Sequence, residues 1–556
     1  MSEMYKEISF MARKRRDDQL AAAYPLPPIK EESLPKDLRN YPKDSGLFRQ
    51  DELEILDMDA ATIVQKIRDR KLTSVETTKA FCKAAAVAQQ LTNCVTEVLF
   101  NEGLERAKYL DEYLEKTGTV VGPLHGLPMS LKDNFMTPPH PSSIGMAAYA
   151  NEPTEKDSVL VKMLRKLGAV FYIKTNVPTS MFMAETINNV WGETRNPIHK
   201  GLSPGGSSGG EAALIAMRAS PLGVGTDIGG SIRIPSAWCH LYGLKPSFGR
   251  FSTWGGRPSI PGQDFIAAVC GPMSRSLQSL RLFGEALCSE QAAPWNLDPK
   301  IIPIPWRKNL IQPPGCKLRL GVISGDGIVT PHPPVQRAVE IVKKVLKEAG
   351  HDVIDWEPID HAAIVNTVSE AFFLLGSDVI ISRLVEFSEP IFKAMERQYQ
   401  SNHGKVHNLG ADKLREIILR RNQLQTDYLD RWISTQKDNE RPLDGIISPV
   451  APTAANRLGF AETSHYTGYT NVFNLLDLPS CTFPVTYASQ SIDMKRGSEW
   501  QPLSDMDRLI QNEYDPEIYD GAPVSLQLVG KRLEEEKVLE MVEVVSNALK
   551  TAGYSP

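Results

Sequence analysis

Two serine-bearing glycine loops constrain this chain more than any other feature. The first is Ser203-Pro204-Gly205-Gly206-Ser207-Ser208-Gly209-Gly210-Glu211; the second is Gly223-Val224-Gly225-Thr226-Asp227-Ile228-Gly229-Gly230-Ser231-Ile232-Arg233-Ile234-Pro235. The residues between them read as one short helix. Glycines beside a serine let the backbone approach a ligand closely and adopt angles that other residues avoid. The run from Asp227 to Ser231 can aim successive N–H groups at one point, a nest that binds an anion without a charged side chain. Asp227 and Arg233 are placed to brace the ends of that loop by an ion pair or backbone hydrogen bonds.

A serine hydroxyl is a poor nucleophile and needs a base. Neither loop contains a histidine, and His199 and His240 only flank the region. The lysine of Gly126-Leu127-Pro128-Met129-Ser130-Leu131-Lys132-Asp133 is the better candidate. Its segment reads as a short strand that starts at Pro128 and runs inward. A lysine on a buried strand must be paired or neutral. Burial disfavours the ammonium, and moving its pKa from about 10.4 to about 7 or 8 takes roughly 3 to 5 kcal/mol of differential solvation. The pattern therefore points to Ser231 as nucleophile, Ser207 as proton relay and Lys132 as base, with the amides near Ser231 as an oxyanion hole. A Lys132 that is only salt-bridged to Asp133 or another acid is the structural alternative.

Other motifs fit less well. Gly205-Gly206-Ser207-Ser208-Gly209 has the letters of a nucleophile elbow, but that elbow needs a buried strand before it. Asn196-Pro197-Ile198-His199-Lys200-Gly201-Leu202-Ser203-Pro204 cannot be a central strand. A phosphate-binding loop would need a lysine that these glycines lack. His403 and His407 are four apart but have no glutamate between them, so they read as exposed helix or loop histidines rather than a zinc site.

A formal net charge of −5 gives no basic field to recruit nucleic acid or an anionic membrane. The exception is Arg13-Lys14-Arg15-Arg16, followed at once by Asp17-Asp18, which reads as a solvated helix face. The seven cysteines are scattered and form no C-x-x-C pair, which predicts reduced thiols. Charges interrupt the first residues throughout, so no signal-peptide core is expected, and no apolar run reaches the length of a membrane span. These observations make a cytoplasmic enzyme the expectation.

Residues 1–50 are polar and proline-rich and read as an N-terminal arm that wraps the body or stays mobile; residues 51–556 read as one catalytic domain. Thr73-Ser74-Val75-Glu76 has the form of a capping box before a helix. Asp157-Ser158-Val159-Leu160 opens another helix, Gly168 stops it, and Ala169 to Ile173 reads as a buried strand. The same order recurs in Val335 to Ala349, Gly350 and Asp352 to Trp356, which predicts an α/β sheet covered by helices. Glu534-Glu535-Glu536 starts a last amphipathic helix with acids at its positive end. Residues 290–316 and 487–522 read as long surface loops, the second on its Asp515-Pro516 and Asp520-Gly521 turns.

The two serine loops, the Gly126–Asp133 segment and their spacing resemble the amidase signature family, over roughly residues 55–550. Within it the chain resembles the fungal acetamidase-like or general amidases, with a core similar to fatty acid amide hydrolase. The stretches Gly468 to Asp477 and Ala522 to Gly530 are similar to that subgroup too. The resemblance implies an α/β fold with a single mixed sheet of about eleven strands between layers of helices. It implies a Ser–cis-Ser–Lys triad of Lys132, Ser207 and Ser231, with Ser207 preceded by a cis peptide. It also implies an oxyanion hole at Ile228, Gly229, Gly230 and Ser231, and a pocket lined by Met181 and Phe182. Ser180 and Ser208 would be hydrogen-bonding supports, beside the bracing pair Asp227 and Arg233. The implied reaction is hydrolysis of a small-molecule carboxamide to an acid and ammonia or an amine through an acyl-enzyme on Ser231. No cofactor or metal is implied, and no nucleic acid or membrane partner. The alternatives are the A subunit of a tRNA-dependent amidotransferase and a non-catalytic binding protein on the same fold. A homodimer is one option for the assembly.

Overall fold

A computed structural model describes residues 4–30, 32, 34–311, 315–374, 377–400, 411–437 and 441–554. In chain order the strands are β1 (Val95–Val98), β2 (Pro128–Lys132), β3 (Val170–Thr175), β4 (Ile187–Asn188), β5 (Gly192–Glu193), β6 (Gly223–Asp227) and β7 (Tyr242–Lys245). They continue with β8 (Val269–Ser274), β9 (Arg319–Val322), β10 (Asp352–Asp355), β11 (Gly445–Pro449), β12 (Ser480–Tyr487) and β13 (Pro523–Val529). Eleven of them form one sheet in the order β1-β3-β2-β6-β8-β7-β12-β13-β11-β9-β10, and β4 and β5 pair separately. The sheet is mixed, as the resemblance implied: β2 runs parallel to β3 and β6, and β8 antiparallel to β6. Helices cover it.

The strands that matter for chemistry lie deep inside. Every residue of β2, β3 and β6 is buried, as expected for parallel strands covered on both faces. Ser130 of β2 lies beside Gly223 of β6, and Leu131 beside Val224. That register brings the end of β2, which carries Lys132, alongside the end of β6, which leads into the second serine loop.

Local signals behave as their chemistry dictates. The Thr73 hydroxyl accepts the Glu76 N–H at 3.0 Å and the Glu76 carboxylate accepts the Thr73 N–H at 3.0 Å, opening the helix Ser74–Thr92. The helix Val159–Lys166 leads through Gly168, at φ +100°, into β3. The helix Pro333–Glu348 leads through Gly350, at φ +86°, into β10, which is parallel to β9. Glu535 and Glu536 do open the last helix, Glu535–Thr551, but they are buried and bind Arg250, with Arg307 also on Glu536. Among the described residues the seven cysteines form no disulfide, and six are buried.

Two expectations need correction. The stretch 487–522 is not one loop: it holds the helices Asp505–Glu513 and Pro516–Tyr519. The Asp515-Pro516 pair is an N-cap followed by proline in the first turn, with the Asp515 carboxylate accepting the Glu517 and Ile518 N–H groups. The basic run near the N-terminus is only partly solvated. It lies on a helix, Met4–Ala23, where Lys14 pairs with Asp18 on the outside. Arg16 is 5% exposed and donates to the Val95 carbonyl at 3.0 Å, while Arg15 pairs with Glu97 at 2.7 Å. Arg16 thus serves a backbone carbonyl at the free edge of β1, and Arg15 a carboxylate of the same strand. The following segment also lies on the body: the Leu38 N–H donates to the Pro197 carbonyl at 2.7 Å. His403 and His407 lie outside the described residues.

Candidate active site

The side chains of β2 alternate between faces, and this separates Lys132 from Asp133. Asp133 accepts from Thr96 at 2.8 Å, from Ser143 at 2.7 Å and from the Ile144 N–H at 2.6 Å, and it lies 3.8 Å from Lys174. Lys132 takes the other direction. Its Nζ lies 2.7 Å from Ser207 Oγ, 2.8 Å from Thr226 Oγ1 and 3.3 Å from the Thr226 carbonyl oxygen. The lysine is 0% exposed and Ser207 2%. No salt bridge within 4 Å reaches Lys132 among the described residues. Burial lowers its ammonium to about 7, against the opposing pull of Asp227 and Glu211.

Ser207 ends the first loop, and the Gly206–Ser207 peptide is cis. Ser208 then caps the helix Gly209–Ala216. The Ser208 N–H donates to the Ser231 carbonyl at 3.2 Å, tying the two serine loops together. Ser208 Oγ also lies 3.4 Å from both the N–H and the carbonyl of Thr226. The glycines are needed for room: a Cβ on Gly206 would meet the Met183 carbonyl oxygen at 2.5 Å, and one on Gly225 the Ser208 hydroxyl at 2.8 Å.

The second loop is held by a buried ion pair. Arg233 Nε donates to Asp227 Oδ2 and Nη2 to Oδ1, both at 3.0 Å, with both side chains 0% exposed. Asp227 also accepts the Gly230 N–H at 2.8 Å, the Ile232 N–H at 3.1 Å and Asn474 Nδ2 at 2.8 Å. Burial would push its carboxyl up, but the Arg233 charge and these donors hold it well below the usual carboxylate range. The remaining Arg233 donor binds the Thr470 carbonyl at 3.0 Å and Gln527 Oε1 at 3.1 Å. The Thr470 hydroxyl donates to the Gly229 carbonyl at 2.6 Å, which turns that peptide's carbonyl toward the helix Gly468–Leu475.

Ser231 is partly exposed and opens on a cavity of about 510 Å³. Ser207, Ile228, Gly229, Met181 and Phe182 line it as well. Lys132 sits behind Ser207, away from that space. The Phe182 ring stacks on His465 with centroids 5.5 Å apart. Burial keeps this histidine neutral, lowered to about 4. Val365, Val368, Phe372 and Ile380 form an apolar wall from the helices His361–Leu374 and Ser377–Glu386. Ser180 supports the site through its backbone, not its hydroxyl. Its N–H donates to the Ile144 carbonyl at 2.8 Å and its carbonyl accepts the Ser259 hydroxyl at 2.5 Å, while its own hydroxyl has no partner among the described residues.

Several residues of this arrangement carry no local signal in the sequence. Thr226, Thr470, Asn474 and Gln527 act through contacts that only the tertiary fold creates. Glu211 is another. It is buried in the first turn of the helix after Ser208 and is bound by Ser130 and, at 2.6 Å, by the Thr175 hydroxyl. Burial raises its carboxyl to about 7.

A family model described as Amidase matches residues 76–539. The chain is 41% identical to an acetamidase of Emericella nidulans over 92% of each chain. It is 40% identical to an acetamidase of Aspergillus oryzae, over 91% of this chain and 92% of the relative. Among solved structures it is similar to a fatty acid amide hydrolase, with a TM-score of 0.92 and 32% identity over 99% of this chain and 96% of that one. The fold is also that of a peptide amidase from Stenotrophomonas maltophilia, with a TM-score of 0.65 and 21% identity over 89% and 97%.

Proposed function

Since this chain belongs to the amidase family of amide-hydrolysing enzymes, we propose that it cleaves carboxamides through an acyl-enzyme on Ser231, with Ser207 as relay and Lys132 as base. The observation that carries this reading is the 2.7 Å contact between a fully buried lysine and Ser207. A neutral amine has two N–H donors and one lone pair. Thr226, through its hydroxyl and carbonyl, takes the two donors. The lone pair is then left for the Ser207 hydroxyl proton.

The reaction follows from that arrangement. Lys132 withdraws the Ser207 proton while Ser207 Oγ withdraws that of Ser231. Ser231 Oγ bonds to the amide carbon, and the carbonyl π electrons move onto oxygen. The Gly230 amide is already bound to Asp227, so the Ile228, Gly229 and Ser231 amides are the first donors to that oxyanion. When the tetrahedral adduct collapses, Ser207 gives a proton to the departing nitrogen and is reprotonated by Lys132. Water then attacks the ester by the same proton path, releasing the acid and Ser231. Every step uses groups of this chain, the amide and water.

The substrate class is a carboxamide with a small or apolar acyl group. The apolar wall of Val365, Val368, Phe372 and Ile380 supports the apolar option, and the acetamidase relatives support the small one. In this reading the acyl chain lies beside Met181 and Phe182, along that wall. The arm of residues 1–50 is, in this reading, an appendage to a catalytic body of residues 51–556. A panel of short aliphatic, aryl and long-chain amides, followed by release of ammonia or amine, tests the assignment. Ser231→Ala should abolish turnover of every active member; wild-type-like turnover by that variant rejects the mechanism.

A further inference from the structure

Two helices leave the serine loops, and both end at a second cavity. Gly209–Ala216 begins directly after Ser208; Ala216 and Arg218 at its far end line a cavity of about 470 Å³. Arg233–Trp238 follows Ser231 closely; Cys239, His240 and Leu241 beyond its end line the same cavity. None of the residues assigned to the chemistry above borders it.

Its charge is unlike that of the whole molecule. Arg39, Arg218, Arg275 and Lys550 line it against one carboxylate, Glu543, in a chain of net charge −5. Glu543 is bound by Arg281 at 2.6 Å. Arg39 is held by Asp37 at 2.7 Å and the Tyr487 hydroxyl at 3.1 Å, and Arg218 is paired with Asp57. Arg275 donates to the Leu56 carbonyl at 2.6 Å. Neither Arg275 nor Lys550 forms an ion pair with a carboxylate among the described residues. The nearby Asp59 accepts from the Ser276 hydroxyl at 2.9 Å.

A separate observation concerns His240. Its backbone has φ +58°, and its ring stacks on Tyr487 with centroids 4.7 Å apart. Both ring nitrogens are buried with no hydrogen-bond partner among the described residues. Both nitrogens are closed off from water, so the ring lines the wall without offering a donor to the cavity. The eleven-residue helix Leu277–Leu287 also begins here, with Ser276, Leu277 and Gln278 in the wall. The Gln278 N–H is capped by the Ser276 hydroxyl at 3.2 Å, so the helix start adds the positive end of its dipole.

We propose that this cavity is a second ligand site, specific for a small multivalent oxyanion and set at the far ends of the two helices that leave the serine loops. Arg275 and Lys550 supply the positive charge, against Glu543, which is bound by Arg281, and Asp59, which is hydrogen-bonded to Ser276. The volume suits a molecule of metabolite size. Carboxylate and phosphate groups share the required chemistry, so citrate and pyrophosphate serve as the two probes.

Calorimetric titration of the full-length chain with each probe tests this. Saturable 1:1 binding of at least one probe is expected, weakened about tenfold in Arg275→Gln and in Lys550→Gln, as for loss of one charge-assisted contact. Lys550 lies exposed on the last helix, so its variant reads the site even if the Arg275 variant fails to fold. The binding probe should also change the turnover of an active amide by twofold or more in wild type. Ser231→Ala should bind the probe as wild type does, which separates this site from the catalytic one. Absence of saturable binding by both probes, unchanged affinity in Lys550→Gln, unaltered turnover, or loss of binding in Ser231→Ala would each overturn the proposal.

Discussion

Lys132 Nζ and Ser207 Oγ lie 2.7 Å apart, on elements brought together by two neighbouring strands, with the amine wholly out of water. The contact joins β2 to the glycine loop before the helix Gly209–Ala216. Thr226 of β6 supplies the other two partners of the amine. Among the described residues no carboxylate forms an ion pair with it, so burial decides its charge state.

That burial has a consequence for stability. Lys132 is lowered from 10.5 to about 7 in the folded chain. Between these values the unfolded chain binds more protons, so stability rises with pH across that window, by on the order of 1.4 kcal/mol per pH unit from this group. Below about 7 both states are protonated and the contribution is flat. Replacement by Met removes the term. Denaturant unfolding should therefore show Lys132→Met gaining on wild type most strongly near pH 7, with the advantage shrinking toward pH 10. A difference independent of pH would show that the amine is not held neutral.

Thr226→Val keeps the shape of the side chain and removes the hydroxyl that Lys132 contacts at 2.8 Å. An amine N–H then loses its partner in a buried site, at a cost of about 1 to 3 kcal/mol. If that cost falls on the orientation of the lone pair, kcat drops roughly 5- to 100-fold while KM changes little. A rise in KM with kcat unchanged would place Thr226 in substrate binding instead.

Asp227→Asn leaves Arg233 charged and buried without its counter-ion. Breaking one partner of such a pair costs about 3–5 kcal/mol. The loop that carries Ser231 loses its anchor at the same time, so both thermal stability and kcat should fall. The acid sign follows from the same pair. Because Asp227 is held well below its ordinary range, its stabilisation is present above about pH 3.8 and is lost as pH falls further. Circular dichroism during acid titration should show wild type losing this contribution below that point, with the variant showing none of it.

Glu211 lies close enough to Lys132 to favour its charged form. Glu211→Gln removes that charge and can keep hydrogen bonds to Ser130 and Thr175. Glu211 is itself raised to about 7, so its charge acts on Lys132 only at and above that pH. Lys132 should then lose its proton at slightly lower pH, and the acid limb of kcat/KM should move down modestly. The charged groups acting on Lys132 are Glu211 and Asp227, and Asp227 is unchanged in this variant. An acid limb that stays in place would show that Glu211 is already protonated where Lys132 titrates.

Much of the site was legible because its parts are local. Glycines flanking serines, a lysine after a strand-forming run and an Asp–Arg pair six residues apart all lie within short segments. The helix start at Thr73 was legible for the same reason: a capping box spans four residues. What the sequence hid depends on distance. Thr470, Asn474 and Gln527 reach the Ser231 loop from more than two hundred residues away. Arg15 and Arg16 read as solvated because a basic run looks the same whether it meets water or a strand edge. The helix Pro516–Tyr519 was missed because Asp515-Pro516 serves equally as a turn and as a helix start.

The pH dependence of covalent labelling at Ser231 by a fluorophosphonate tests the central claim most directly, since it reads activation of the nucleophile without any leaving-group step. In wild type the labelling rate should fall about tenfold per pH unit below an inflection near 7, the value that burial imposes on Lys132. Lys132→Ala should label far more slowly and show no such inflection, with mass spectrometry placing the adduct on Ser231. The same inflection in Lys132→Ala, or an adduct on another residue, would contradict the account.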